Sequence, residues 1–385
     1  MARLRYRPEL DGLRAVAVLL VVVHHALQPT RFVGFIGVDV FFVLSGYLIT
    51  TNLLGEYQGT RRLRLGTFYV RRLLRLYPAL LVMLVVTVAA APLLDLTRDY
   101  LAKRAALAAV YVGNVYMTYA HHWLGPFTHT WSLALEEQYY LVWPLLLWGV
   151  LALRWPRRAV AAGLGVLAVV SAVLTVRDFG FGQISFPLQT TGLGLLVGSA
   201  LALVPPGPAA PDDVAVPGAW WRTVAPVLGV AVTVAALVGF SATDAVPDGA
   251  YVVAAVVASA LLIGHTTAMR GTGFAVRLLS YRPEVYFGKI SYGIYLWHYP
   301  LLFVVLRQAP GMDAALRFVV VAVGGTLLAA VSHRWVEKPF LRLKSRLSVP
   351  ALRNDRPSPR QYAPGVSRSR PDPVARPRVE SSEDR

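Results

Sequence analysis

Apolar residues in this chain come in unbroken runs of about 17 to 22 rather than at the three-and-four spacing of a soluble amphipathic helix. Such runs predict membrane-spanning helices at 12–28, 36–54, 77–94, 131–153, 159–176, 185–204, 223–241, 249–268, 289–307 and 314–334, ten in all. An eleventh stretch, 105–120, is shorter and carries Asn114.

Charge decides how that stretch is counted. With ten spans and a cytoplasmic start, Lys and Arg number 18 in cytoplasmic segments through Lys289, 7 on the outside and 13 from Arg334 onward. An eleventh span would move Arg154, Arg157, Arg158 and the basic tail outside, against the positive-inside rule. The expectation is an all-α, polytopic integral membrane protein of about ten transmembrane helices in the cell membrane, with cytoplasmic termini. Residues 105–120 would lie in the interface or dip in from outside. No small-x-small cleavage site follows Val23, so the first run reads as a retained helix and not a leader. A membrane domain of 1–345 would be followed by a disordered cytoplasmic tail, 346–385, rich in Pro and Arg.

Composition adds exclusions. A net charge of +17 in a soluble protein would suggest nucleic acid, but here the basic residues gather in loops and tail, so the expected polyanionic neighbour is the lipid bilayer and no nucleic acid. The absence of cysteine removes disulfides, a thiolate nucleophile and Cys-ligated zinc, and no motif predicts a metal.

Ionisable groups inside apolar runs mark candidate chemistry, because a charge at the bilayer centre costs at least about 2.5 kcal/mol and such residues face protein or a water-filled cavity. In LDGLRAVAVLLVVVHHALQ (10–28), Arg14 and His25 are eleven positions apart. On a helix they share a face to within about 20° and lie about 16 Å apart, whereas His24 falls about 80° away. The alternative is an Arg14 that snorkels to the headgroups and a His25 satisfied within the bundle. Asp39, in VGFIGVDVFFVLSGYLI (33–49), is either an ion partner for a cation on the first helix or a helix-end carboxylate near water.

Three further motifs complete the set. TFYVRRLLRLYP (67–78), expected in the most basic cytoplasmic loop, projects Arg71, Arg72 and Arg75 from one side. Such a fork suits the phosphates of a nucleotide-bearing acyl donor such as coenzyme A, or equally anionic lipid. In HTWSLALEEQYYLVWP (129–144), His129, Ser132, Glu136 and Tyr140 share a helical face with Glu137 beside it, a set suited to proton transfer. In GKISYGIYLWHYPL (288–301), Ser291, Tyr295 and His298 share a face ahead of a bend at Pro300, lining a cavity or forming part of an interfacial belt.

These motifs, with VSHRWVEKPF near the end of the membrane part, closely resemble in order and spacing the membrane-bound acyltransferase family 3, from about residue 6 to 345. The resemblance implies a ten-helix O-acyltransferase that moves an acyl group, commonly acetyl from acetyl-CoA, onto a hydroxyl of a sugar or similar acceptor, often outside the membrane. It puts the family's Arg-x10-His pair on Arg14 and His25, its Arg-x-x-Arg on Arg72 and Arg75, and its His and acidic motif on His129, Glu136 and Glu137. Acyl-CoA would be a co-substrate, with no bound cofactor. Thr191 and Gly194 stand where many relatives have Arg and Glu, and many relatives carry an added extracytoplasmic hydrolase-like domain. A relay through such a domain would here use a separate partner.

On this reading Arg72 and Arg75 hold the donor's phosphates, Arg14 lies along the acyl arm, and His25 is general base or acyl-carrying nucleophile. Glu136 or Glu137 would orient His129 or His25. Asp39, Ser132, Tyr140, Ser291, Tyr295 and His298 would line the cavity. Acylation of a secondary metabolite such as a macrolide sugar is an alternative to an envelope glycan. A transporter or flippase, using the same charges without making a bond, is the alternative of another class.

Overall fold

The computed structural model describes residues 6–27, 33–179, 192–204, 248–268 and 274–346, and every regular element among them is helical. The first helix, α1 (Pro8–Leu27), opens on a proline suited to a first turn and carries Glu9 and Asp11 there and His24 and His25 in its last turn. Its C-terminal end is closed by Arg317, whose Nε donates to the Ala26 carbonyl. After α2 (Val33–Thr60) comes α3 (Leu65–Ala89), one continuous helix through Pro78. The arginine motif therefore belongs to the first turns of a long helix and not to a loop, because the helix runs on past Pro78 even though that residue removes one rung of the ladder.

The polar stretch that follows is broken up. Short α4 (Ala91–Leu94), α5 (Arg98–Ala109) and α6 (Gly113–Ala120) replace a span, with Thr97 capping α5 by accepting from the Tyr100 amide. Tyr111, at φ 55°, turns the chain between α5 and α6. At 12 and 8 residues, neither half crosses an apolar core of about 30 Å.

A 3-10 turn (Gly125–Thr130) then enters α7 (Trp131–Ala152), followed by α8 (Arg157–Phe179), α9 (Leu193–Leu203), α10 (Asp248–Ala268) and α11 (Phe274–Leu279). The chain continues through α12 (Arg282–Gln308), α13 (Ala314–Ser332), a π-helical turn (His333–Glu337) and α14 (Lys338–Arg346).

Six helical stretches among the described residues are long and apolar enough to cross a membrane: Pro8–Leu27, Ile36–Thr60, Leu65–Ala89, Arg157–Arg177, Gly249–Thr267 and Ala314–Leu343. The expected count of ten is not reached among them. Helices α7 and α12, of 22 and 27 residues, have the length, but their Glu, Tyr, Trp and His residues lower their apolarity. The expected run 223–241, the first part of 185–204 up to and including Thr191, and the tail beyond 346 lie outside the described residues.

Helix α1 packs against α2, α12 and α13, while α2 also meets α9 and α10, and α8 closes on α9 and α10. The core runs from Val18, Val22 and Phe42 on α1 and α2 into α3 and α7, through Leu80, Met83 and Leu135. The outer faces are apolar as well: Val166, Val169 and Val173 of α8 are each more than 60% exposed, a surface for lipid and not for water.

With lipid as solvent, close packing and interhelical hydrogen bonds hold helices together. At the α2–α9 crossing, a Cβ on Gly46 would run into the Leu195 carbonyl and one on Gly198 into the Val43 carbonyl. That closeness lets Ser199 Oγ reach the Gly46 carbonyl at 3.1 Å and accept from Thr50 at 2.9 Å, with Tyr139 of α7 joining at 2.7 Å. Gly198→Leu should therefore overpack the crossing by at least about 1–3 kcal/mol. We expect it to remove most of the monodisperse protein in detergent size-exclusion, whereas Gly163→Leu, whose Cβ meets nothing within 4 Å, leaves the yield unchanged.

Candidate functional site

Two polar clusters sit on opposite sides of one aromatic layer. The first surrounds a cavity of about 120 Å³ where the N-terminal half of α1 and the first turns of α3 and α12 meet α2 and α7. The sequence-predicted Arg14, Arg72, Arg75, Ser132, Glu136, Tyr140, Ser291 and Tyr295 all line it. Ser45 and Lys289 line it too and were not among the predicted site residues. The cavity wall on α12 is close to α1 because a Cβ on Gly288 would strike the Asp11 carbonyl.

The cations of this cavity are not equivalent. Arg72 is held by Glu137, its Nε and Nη2 donating to Oε1 at 2.8 and 2.7 Å, and its guanidinium lies 3.2 Å from the centre of the Tyr140 ring. Arg14 pairs with Asp11, one turn below, at 3.2 Å, and Asp11 also accepts from the Tyr6 hydroxyl at 2.7 Å. Arg71 turns away to Glu56 at 3.8 Å. Among the described residues no carboxylate lies within ion-pair reach of Arg75 or Lys289, and both open onto the cavity. Glu136 accepts from Ser45 Oγ at 2.7 Å, tying α7 to α2.

The second cluster is built from imidazoles. His25 Nδ1 lies 3.1 Å from His298 Nε2, and His298 Nδ1 lies 2.6 Å from the Tyr295 carbonyl. His129 is 5.5 Å from the His298 ring, centre to centre, and stacks on Tyr299 at 5.0 Å, whose edge in turn meets His25 at 4.9 Å. His298 and His129 are buried. Tyr295 belongs to both clusters. It lines the cavity, its ring lies 5.3 Å from His129, and its hydroxyl donates to the His129 carbonyl while accepting from Ser132 Oγ at 2.7 Å. Tyr295 and Ser132 thus form the partition between the cationic cavity and the histidines.

Four expectations are corrected by this geometry. Neither Glu136 nor Glu137 orients a histidine: the first bonds Ser45 and the second Arg72, because α7 turns its carboxylates toward α2 and α3. His129 leaves the face of Ser132, Glu136 and Tyr140, since it sits in the tighter 3-10 turn before α7 begins. His298 keeps the helical face of Ser291 and Tyr295 but lies farther along α12, so it falls in the imidazole cluster and not on the cavity. Asp39 is buried, does not line the cavity and makes no hydrogen bond through Oδ2, and Arg14 takes its carboxylate from its own helix instead. Arg14 and His25, read as one face of one helix, fall into different clusters, Arg14 in the cavity and His25 among the imidazoles.

No solved structure matches this chain. Among curated proteins, O-acetyltransferase OatA of Staphylococcus aureus is 32% identical over 349 residues, covering 87% of this chain and 57% of that protein. Peptidoglycan O-acetyltransferase OatA of Listeria monocytogenes is 31% identical over 367 residues, with 87% and 56% covered. The chain therefore spans a little over half the length of the curated relatives it matches. The family model described as an acyltransferase domain matches residues 7–334, which takes in both polar clusters and every helix that builds them. This chain belongs to that acyltransferase family.

Proposed function

We propose that this chain is an integral membrane O-acyltransferase that takes an acyl group, acetyl in the first instance, from acyl-CoA and transfers it to a hydroxyl of a cell-envelope glycan. Peptidoglycan, the acceptor in the Listeria relative's name, is the first candidate. The observation that carries the reading is the pairing of a cavity holding two unneutralised cations, Arg75 and Lys289, with a half-buried imidazole, His25, beyond a single aromatic partition.

In this mechanism Arg75 and Lys289 bind the donor's phosphates, and Arg72, fixed by Glu137, supplies a rigid wall rather than a free clamp. His25 removes the proton from the acceptor hydroxyl. The oxygen then bonds to the thioester carbonyl carbon, the carbon–sulfur bond breaks, and the thiolate leaves with coenzyme A to be protonated. The partition at Tyr295 and Ser132 marks where the acyl arm must pass, so it moves during turnover.

We read α7 and α12 as spans beside the six apolar helices, at about 33 and 40 Å long, and retain ten spans in total. The positive-inside count supports cytoplasmic termini, which turns the cationic cavity toward the cytoplasm, where acyl-CoA is made. A separate extracytoplasmic hydrolase-like partner would complete any relay to a distant acceptor.

Purified protein in lipid should transfer label from radiolabelled acetyl-CoA to glycan fragments. Movement of an intact solute with no label transferred would instead mark a transporter. Arg75→Ala should raise the KM for acetyl-CoA about tenfold with kcat little changed, as expected for a contact made equally in ground and transition states. Arg72→Ala should instead lower the folded yield, since it strands Glu137 in the bundle. Equal kinetic effects at normal yield would contradict the distinction between the two arginines.

A further inference from the structure

Hydrogen-bond logic fixes where the protons sit in the imidazole cluster. The Tyr295 carbonyl can only accept, so the His298 nitrogen 2.6 Å away, Nδ1, carries a proton. The Ile294 carbonyl, 3.2 Å from the same nitrogen, adds a second acceptor. Neutral His298 then has its lone pair on Nε2, and the contact at 3.1 Å is made only if His25 Nδ1 bears the hydrogen. A doubly protonated His298 would reverse that contact. It would also put a charge in a fully buried position where, among the described residues, no carboxylate pairs with His25, His129 or His298.

We infer that His298 is a positioning residue: it holds His25 in the Nδ1–H tautomer and so leaves the lone pair of His25 on Nε2, the nitrogen turned away from the α12 contact. The inference rests on the acyl-transfer reading for its purpose, since a base or nucleophile needs one defined lone pair. The chain of protons itself rests only on distances. Helix α12 supplies the side-chain part of it, and the Val21 carbonyl of α1 is a further acceptor at the His25 ring. The Tyr295 and Ile294 carbonyls set His298, and His298 sets His25 on α1, with the Tyr299 ring closing the other side of His25 at 4.9 Å. In metal sites, removing the partner that orients a histidine costs roughly 10–100-fold, and we take the same scale for a partner that orients a base.

The test is solid-state nitrogen NMR on ring-labelled histidine in lipid-reconstituted protein, with the His25 signals assigned by their loss in His25→Gln. The expected result is a protonated Nδ1 and a bare Nε2 at His25, changing toward the opposite tautomer in His298→Ala. A bare Nδ1 at His25 in the wild type, or a tautomer indifferent to His298→Ala, overturns the inference. Kinetics give a second arm. His298→Gln keeps an acceptor near the Nε2 position and should retain kcat to within about tenfold, whereas His298→Ala loses about 100-fold, both with KM for acetyl-CoA unchanged. Equal losses in the two variants, or losses carried by KM, also count against it. The tautomer is read without turnover, so its failure is separate from that of the acyl-transfer reading, which would appear as no label transfer by wild-type protein.

Discussion

A guanidinium inside an apolar bundle must either be paired or face a cavity, and Arg72 meets that constraint by pairing with Glu137. The pair joins the first turns of α3 to α7, and Arg72 in turn lies over Tyr140, three residues beyond Glu137. Removing either partner of such a pair costs about 3 kcal/mol or more, because the other is left charged and enclosed. With Glu137 occupied, its neighbour Glu136 bonds Ser45, which brings α2 into the same assembly. Three helices are thereby set around one cavity, in which Arg75 and Lys289 are the lining cations without a carboxylate partner among the described residues.

Two helices then run from this cavity to the histidines. Helix α1 carries Arg14 at the cavity and His25 at the far cluster, about 16 Å along its axis. Helix α12 carries Lys289 and Ser291 at the cavity, Tyr295 at the partition, and His298 and Tyr299 beyond it. Their separation is set by Gly288, which faces the Asp11 carbonyl so that no side chain stands between the two backbones there, while Gly12 brings α1 equally close to the Leu279 carbonyl at the end of α11. At the other end, Arg317 fixes the last turn of α1 beside His25. A site spread over half a membrane keeps its geometry because both of its ends ride on the same two rigid rods.

How much of this was legible in the sequence follows from the range of each interaction. Periodicity within one helix is local, so the shared face of Ser132, Glu136 and Tyr140 and that of Ser291 and Tyr295 were readable, and each set does face the cavity. The partner of a polar group across helices is not local. Glu137 finds Arg72, 65 positions earlier, and His25 finds His298, 273 positions later, while spacing alone offered a carboxylate for the histidines. His129 was misplaced because the helical face was extended back into a 3-10 turn, which Gly125 and Pro126 foreshadow. Lys289 stood in a motif already singled out, but as a lone cation before an apolar run it looked like a topology signal. Ser45 looked like a small residue for helix approach, and its hydroxyl proved to have a use as well. The polar content of α7 and α12 is also why apolarity alone does not mark them as spans.

The central claim is that His25, and not its neighbour, is the reacting group. His24 meets His25 edge to face at 5.2 Å, yet only His25 bonds His298. The most direct measurement is acyl transfer from acetyl-CoA per unit of folded protein, for His25→Ala and His24→Ala side by side. The account predicts no transfer above background for His25→Ala at normal yield and most of the wild-type rate for His24→Ala. An active His25→Ala enzyme, or a loss confined to His24→Ala, would contradict it.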